Sequence, residues 1–471
     1  MYSKLKSCIQ VDKGHLGKSF SCNIGTRQGC MLSPFLFIFY LNELISMSEQ
    51  NTCKGIFLNE TFSNVPMLMY ADDLVIMGDT IGNVQKLLDT LSEFCDKWGL
   101  FVNMDKTKLM VFRNGGIIKQ NEVVYLNGIK LDCVSYYKYL GIIISSRLSW
   151  SPAQTTLAAQ ASKSQAVINQ LNHKCNYSFK TSCQLFDKCT VPVLTYGSEV
   201  WGTDVNICIE NVQLKFCKSE LGVGSKAATL AVLGECGRNH LSILCNIKAI
   251  SFWIKLLSLP DENLVKSCYN LLYVQCERGK KNWASRIKQL LFQYGYGYAW
   301  LNQQIEDKNI FIKLFKTTLI DCDTQLWKAN LNEMSKLSVF RIFKTDLCVE
   351  MYLLLNIPRR LRVALAKFRI SNHELEIELG RQSNIERGNR ICKLCKLNNK
   401  NCIESEFHVL FECATYSDLR KLYIGKEITD LINLHSFKNL MSTKEENVIV
   451  RLANFIYNMF MVRNCSLRDL L

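Results

Sequence analysis

Residues 67–77 read Met-Leu-Met-Tyr-Ala-Asp-Asp-Leu-Val-Ile-Met, two aspartates at the centre of an otherwise apolar run. Val65 to Tyr70 and Leu74 to Met77 have strand character, so Ala71-Asp72-Asp73 falls at the tip of a hairpin. Asp and Asn are good turn residues, and the pair is explained in part by that chemistry. Adjacent like charges in a tight turn also repel. A hard divalent cation such as Mg²⁺ relieves the repulsion, because it takes carboxylate oxygens together with substrate phosphates. Two such ions can clamp the attacking and leaving oxygens of a phosphoryl transfer.

Working outward, Ser7 to Val11 and Phe20 to Ile24 read as a second hairpin, joined by the turn-rich Lys13-Gly14-His15-Leu16-Gly17-Lys18. Ser33 is placed to cap a helix with Pro34 at its first position. This helix, running to about Ser46, is apolar almost all round from Phe35 to Leu41, which predicts burial. Thr80 is placed to cap the next helix. Its apolar residues Ile81, Val84, Leu88, Leu91, Cys95 and Trp98 recur at helical spacing, and Gly99 ends it. Leu100 to Val102, Leu109 to Phe112 and Tyr137 to Ile144 read as strands. Strands mixed with packed helices predict an α+β layer. A long Ala/Gln/Ser-rich helix follows Ser151-Pro152, and residues 150–385 read as mostly helical.

The chain has 471 residues, 48% hydrophobic and 21% charged, the balance of a folded protein with several domains. This excludes a disordered or collagen-like chain. The longest apolar stretch, Pro34 to Leu41, is far short of a spanning helix, so no membrane partner is expected. The formal charge of +15 points to a polyanion, and it is unevenly placed: residues 226–471 carry +12 of it. The densest run, 359–400, has 11 basic and 4 acidic residues. Arg359, Arg360, Arg362, Arg387, Arg390 and Lys393 within it are candidate phosphate contacts. The 22 cysteines are scattered through apolar segments, and no apolar signal segment opens the sequence. That predicts a reducing compartment, cytoplasmic or nuclear, with most thiols in the core.

Four residues stand apart. Cys392-x2-Cys395-x12-His408-x4-Cys413 has the ligand types and spacing of a tetrahedral structural zinc site. Cys-x2-Cys alone carries little weight in so cysteine-rich a chain; the histidine and the third cysteine make the set. Cys402, between them, could substitute as a ligand. The aromatic run Gly295 to Trp300 fits core packing better than base stacking.

Tyr70-Ala71-Asp72-Asp73 between apolar strands resembles the catalytic motif of reverse transcriptases, and its neighbours follow in that family's order. Gly25-Thr26-Arg27-Gln28-Gly29-Cys30-Met31-Leu32-Ser33-Pro34, ahead of a helix, is similar to the preceding palm motif of non-LTR (LINE-type) retrotransposon enzymes. Trp98-Gly99-Leu100, Val102-Asn103 and Lys106-Thr107-Lys108 are similar to the next motif. Tyr137-Lys138-Tyr139-Leu140-Gly141 resembles the primer-grip hairpin, and Val193 to Trp201 a thumb segment. The resemblance covers roughly residues 7–220 and extends to the Cys/His motif, since a zinc knuckle recurs at the C-terminus of such elements. It implies RNA-directed DNA polymerase chemistry, two-metal nucleotidyl transfer with Mg²⁺. Asp72 and Asp73 would be metal ligands, Tyr70 would line the site near the incoming nucleotide and the primer end, and Gln28 and Gly29 would lie against template and nucleotide. Lys106, or alternatively Lys108, would assist the pyrophosphate leaving group. Tyr139, Leu140 and Gly141 would grip the primer. An RNA template, a DNA primer or target and dNTPs are the implied partners.

The predicted layout is a partial palm over 1–145, with an antiparallel sheet and packed helices, and a helical thumb over 146–225. A helical connector over 226–385, a zinc knuckle over 386–420 and a helical segment over 421–471 follow. The family's chemistry needs a third carboxylate from an earlier strand. Asp12 is the one acidic residue before Glu43, and it reads as a hairpin residue. The expectation is an N-terminally truncated enzyme, inactive as this chain alone. A nucleic-acid-binding remnant without catalysis is the alternative; an intron maturase would carry a different tail.

Overall fold

The computed structural model describes residues 6–12, 15–22, 29–113, 122–425 and 432–468. They are mostly helical, with five separate two-stranded antiparallel sheets. The chain divides into two compact units, Met1–Ser149 with Leu259–Gln275, and Trp150–Ser258 with Cys276–Leu471.

In the first unit, the N-terminal hairpin is two short ladders instead of one. β1 (Lys6–Ser7) pairs with β4 (Phe20–Ser21), and β2 (Gln10–Asp12) with β3 (His15–Leu16). The register shifts between Gln10 and Asp12, as an extra residue in one strand requires. His15 and Leu16, read from sequence as turn, are therefore strand. Helix α1 spans Ser33–Gln50, longer than expected, and Ser33 is its first residue, with no side-chain cap. β5 (Met67–Tyr70) and β6 (Asp73–Ile76) form the aspartate hairpin. Helix α2 (Ile81–Trp98) is capped by the Thr80 hydroxyl, which accepts from Asn83 N at 3.2 Å, and ends at Gly99 in the left-handed conformation. β7 (Tyr125–Leu126) pairs with β8 (Ile129–Lys130), and β9 (Tyr136–Tyr139) with β10 (Ile142–Ser145).

Two sequence expectations fail here. Leu100–Val102 and Leu109–Phe112 are not strands; Leu109 makes one parallel bridge to Cys133, and Leu100 and Val102 pack as extended coil on the core. The Asn103–Thr107 turn breaks the segment before a ladder can propagate. Nor is α1 buried: Phe35, Ile38 and Phe39 are 63, 62 and 78% exposed. A helix offers one stripe to one neighbour. Tyr40, Leu41, Leu44 and Met47 take that stripe, meeting the Phe94 and Trp98 face of α2, and Tyr40 donates to Trp98 O at 2.8 Å.

The second unit begins with helix α3 (Ser151–Cys175), whose Ala153, Leu157, Ala158, Ala161 and Ile168 are buried. One apolar cluster runs from Leu157, Ala158 and Ala161 through Trp201, Phe216 and Phe368 to Cys392, Cys413 and Phe455. Trp201 is fully buried and donates to Tyr196 O at 3.0 Å. At Gly202 an added Cβ would lie 2.3 Å from Ser198 O and 2.6 Å from Cys245 O, so only glycine fits. Trp300 is core, as the aromatic run predicted, whereas Tyr298 in the same run is 57% exposed. No single described helix is long and apolar enough to cross a membrane.

Loss of the α2 cap tests this assembly. Thr80→Ala should lower stability by about 1 kcal/mol, and Thr80→Asn should restore it, in urea unfolding followed by circular dichroism.

Candidate nucleotidyl-transfer and metal sites

The Tyr70↔Asp73 pair closes a two-residue turn, Ala71-Asp72. Ala71 holds φ 52°, in the left-handed region that a non-glycine residue enters at a cost of about 1–2 kcal/mol. Tyr70, Asp72 and Asp73 are all exposed at this tip. Met67, below it, is buried, and Met69, Leu74 and Ile76 pack on the core that α2 anchors. The hairpin thus has a fixed base and a polar tip.

A second tip lies within electrostatic reach of the Asp73 carboxylate. Leu140 and Gly141 turn the β9–β10 hairpin with φ 46° and 85°, the paired left-handed geometry that suits a tight hairpin. Partial burial and the neighbouring Asp73 carboxylate push the Tyr139 phenol above its ordinary pKa. Tyr137, two residues earlier, donates from its hydroxyl to Lys106 O at 2.9 Å. The Lys106 loop is tied locally as well: Asn103 Oδ1 accepts from Lys106 N at 3.1 Å, and Thr107 Oγ1 donates to Asn103 O at 2.8 Å. Lys106 is exposed, with no ion pair among the described residues. Lys108 is engaged elsewhere, 2.7 Å from Asp132, and this contact holds the Asp132 carboxyl below its usual range. The structure therefore separates Lys106, the first candidate from sequence, from Lys108, its alternative.

Gly29 has φ 81° and no protein atom within 4 Å of where a Cβ would sit. Its need for glycine is conformational, without a close approach from the described residues. Gln28 lies outside the described residues.

Residues 2–144 match the reverse transcriptase (RNA-dependent DNA polymerase) family. That stretch is what the chain shares with the family. Among curated relatives, a "Probable RNA-directed DNA polymerase from transposon BS" of Drosophila melanogaster is 26% identical over 185 residues, 38% of this chain and 20% of the relative. The "RNA-directed DNA polymerase from mobile element jockey" of Drosophila funebris is 26% identical over 185 residues, 38% of this chain and 19% of the relative. The Pol polyprotein from type-1 retrotransposable element R2 of Popillia japonica is 27% identical over 139 residues, 28% of this chain and 19% of the relative. These relatives are non-LTR retrotransposon proteins, and the chain spans about a fifth of their length. Both hairpin tips and the Lys106 loop fall inside the reverse-transcriptase segment, as does Gly29.

Beyond that segment, Cys392, Cys395, His408 and Cys413 converge, all buried, with one ligand atom from each within 4.8 Å of the others. Cys395 Sγ lies 3.4 Å from His408 Nε2 and 3.6 Å from Cys413 Sγ. Tetrahedral zinc with bonds of ~2.3 Å to sulfur requires sulfurs about 3.8 Å apart, so this donor set fits it. Among the described residues this is the single group of three or more His, Cys, Asp or Glu side chains with metal-ligand spacing. The Ile391–Ile403 bridge brings the first cysteines into place, with Cys392 N donating to Cys402 O at 2.8 Å. Cys402 thus contributes its carbonyl, and its thiol is outside the ligand group. A π-helical turn, His408–Glu412, brings the last two ligands to one side, with Cys413 N donating to His408 O at 2.9 Å. Glu412 Oε2 sits 3.1 Å from His408 Nδ1, which leaves Nε2 for the cluster. Hydrogen bonds from Cys392 and His408 lower the Cys413 thiol to about 3, whereas burial raises Cys395 to about 11.

The basic run is less of a surface than its sequence implies. Arg362 is 6% exposed, because helical spacing puts it on the buried face of Arg359–Arg369. Arg359 donates to Ser219 O at 3.2 Å, and Arg390 to Ile385 O and Ile377 O at 2.9 and 3.0 Å. Arg360, Arg387 and Lys393 do reach solvent, Lys393 while paired with Glu376 at 2.7 Å. Sequence reasoning missed Glu404 and Arg463, which pack behind the cysteine cluster. Glu404 is an unremarked acid between two ligands, and nothing in the sequence joins it to Arg463.

The separation of the lysines has a direct readout. Lys108→Ala should raise the Asp132 titration, and Lys106→Ala should leave it unchanged, by carboxyl-carbon NMR.

Proposed function

We propose that this chain is part of an RNA-directed DNA polymerase of the LINE-type class. The observation that carries the reading is the pair of exposed carboxylates, Asp72 and Asp73, at a hairpin tip within electrostatic reach of Tyr139, inside a reverse-transcriptase segment. Residues 1–145 then serve as palm, 146–225 as thumb and 226–385 as connector. In nucleotidyl transfer the primer 3′-hydroxyl attacks the α-phosphate of a dNTP and pyrophosphate leaves. Asp72 and Asp73 are positioned to hold Mg²⁺, which supplies the positive charge that the phosphates and the developing oxyanion need. Tyr70 flanks the carboxylates, and exposed Lys106 is available to the leaving pyrophosphate. The Tyr139-Leu140-Gly141 tip, fixed by its left-handed turn, is suited to steady the primer end.

Residues 386–420 serve as a structural zinc module, and residues 421–471 as a helical segment that follows it. Cys392, Cys395, His408 and Cys413 hold the ion, which supplies rigidity. Arg360, Arg387 and Lys393 are the solvent-facing members of the basic run and so its phosphate contacts. The RNA template, the DNA primer or target and dNTPs are the proposed partners.

Two experiments test these assignments. Fe²⁺ in place of Mg²⁺ should cut the backbone near residues 70–73 and 139 under peroxide, and Asp72→Asn should abolish both cuts. Cutting that survives the substitution would show that the hairpin does not hold the metal. Affinity for single-stranded RNA should fall at least tenfold (on the order of one log unit) between low and moderate salt, and less steeply in Arg387→Ala/Lys393→Ala. A flat salt dependence would remove the phosphate-contact role.

A further inference from the structure

The cysteine cluster is not a free-standing loop: Cys392, Cys395 and Cys413 belong to the apolar core that also holds Trp201, Phe216 and Phe455. It packs on the last helix, Glu446–Arg468, and one buried carboxylate adds a polar link between the two. Glu404 is completely buried. Its Oε1 faces Cys392 Sγ at 3.8 Å and accepts from Arg463 Nε at 2.9 Å. Its Oε2 accepts from Arg463 Nη2 at 2.7 Å and from Glu376 N at 2.7 Å. Arg463 is 2% exposed, and its Nη2 is also 3.6 Å from Glu376 Oε1. One carboxylate therefore binds a ligand cysteine, the start of the Glu376–Gln382 helix and the last helix.

The charges explain why the arginine matters. Three thiolates and a neutral imidazole around a divalent ion leave a net negative centre, and Glu404 adds a second negative charge behind Cys392. A buried carboxylate with no cation is strongly disfavoured, so Glu404 keeps its place against Cys392 Sγ only with Arg463 beside it. The bidentate Arg463 fork meets that charge and fixes the carboxylate's orientation toward the sulfur at the same time.

We propose that Arg463, acting through Glu404, is a positioning residue of the metal centre, so that metal retention depends on docking of the last helix. The proposal rests on the metal-site reading above.

The test uses the full chain loaded with Zn²⁺ for chelator competition, and with Co²⁺ for absorption spectra. Arg463→Lys keeps the charge but breaks the fork, and should weaken Zn²⁺ about tenfold; Arg463→Met should weaken it up to about a hundredfold. In both, the Co²⁺ thiolate charge-transfer and d–d bands should shift, a change that loss of stability alone would not produce. In Glu404→Gln/Arg463→Met, where no buried charge is left unpaired, much of the Met loss should be recovered. If Arg463→Met does not fold, Arg463→Lys decides. Wild-type affinity and an unshifted Co²⁺ spectrum in folded Arg463→Lys would overturn the proposal while leaving the metal site intact. A wild-type chain that binds neither ion would overturn the metal-site reading itself, and the proposal with it.

Discussion

Glu404 is fully buried, and the start of the Glu376–Gln382 helix and the last helix, Glu446–Arg468, meet at its carboxylate. A buried carboxylate is tolerated only with a cation and with its remaining lone pairs satisfied. Arg463 supplies the cation, and the Glu376 backbone amide and the Cys392 thiol take further positions. The same solution recurs deeper in the unit. Arg369, 4% exposed, pairs with Glu235 and with Glu350, and Lys344 reaches Glu350. These pairs add little net stability over an apolar core of equal volume. Their effect is to make one arrangement of helices far better than its neighbours, since each misalignment strands a buried charge.

The first unit works under a different constraint. Its strands are short and paired only in twos, so each hairpin depends on what lies beneath it. Helix α2 provides that support, with Leu87, Leu91, Phe94 and Cys95 under the aspartate hairpin and Leu88 under the coil and β7–β8. The polar tips are left exposed on a base they do not themselves stabilise. Turns held in the left-handed region, as at Ala71 and at Leu140-Gly141, need such a base, because the turn alone would relax.

Much of this was legible beforehand for local reasons. Helical spacing and caps marked α2 to within a residue, and the apolar flanks of Asp72-Asp73 marked the hairpin. The spacing of Cys392, Cys395, His408 and Cys413 marked a ligand set that the fold does bring together. Where the reading failed, a tertiary term had taken over. Phe35, Ile38 and Phe39 look buried by composition, yet burial is decided by which neighbours a helix has. Arg362 looks like surface charge, yet its place on the helix turns it inward.

The sequence by itself determined the order of the reverse-transcriptase motifs, the adjacency of Asp72 and Asp73, and the identity of the four metal-ligand candidates. Each of these is a matter of near neighbours along the chain, where spacing translates directly into geometry. Only the tertiary structure decided that the Tyr139 phenol feels the Asp73 charge, that Lys106 and not Lys108 is left unpaired among the described residues, and that Arg463 stands behind Cys392. Those relations join residues tens of positions apart. They arise from packing and from the need to match buried charge, and neither leaves a periodic mark in the sequence.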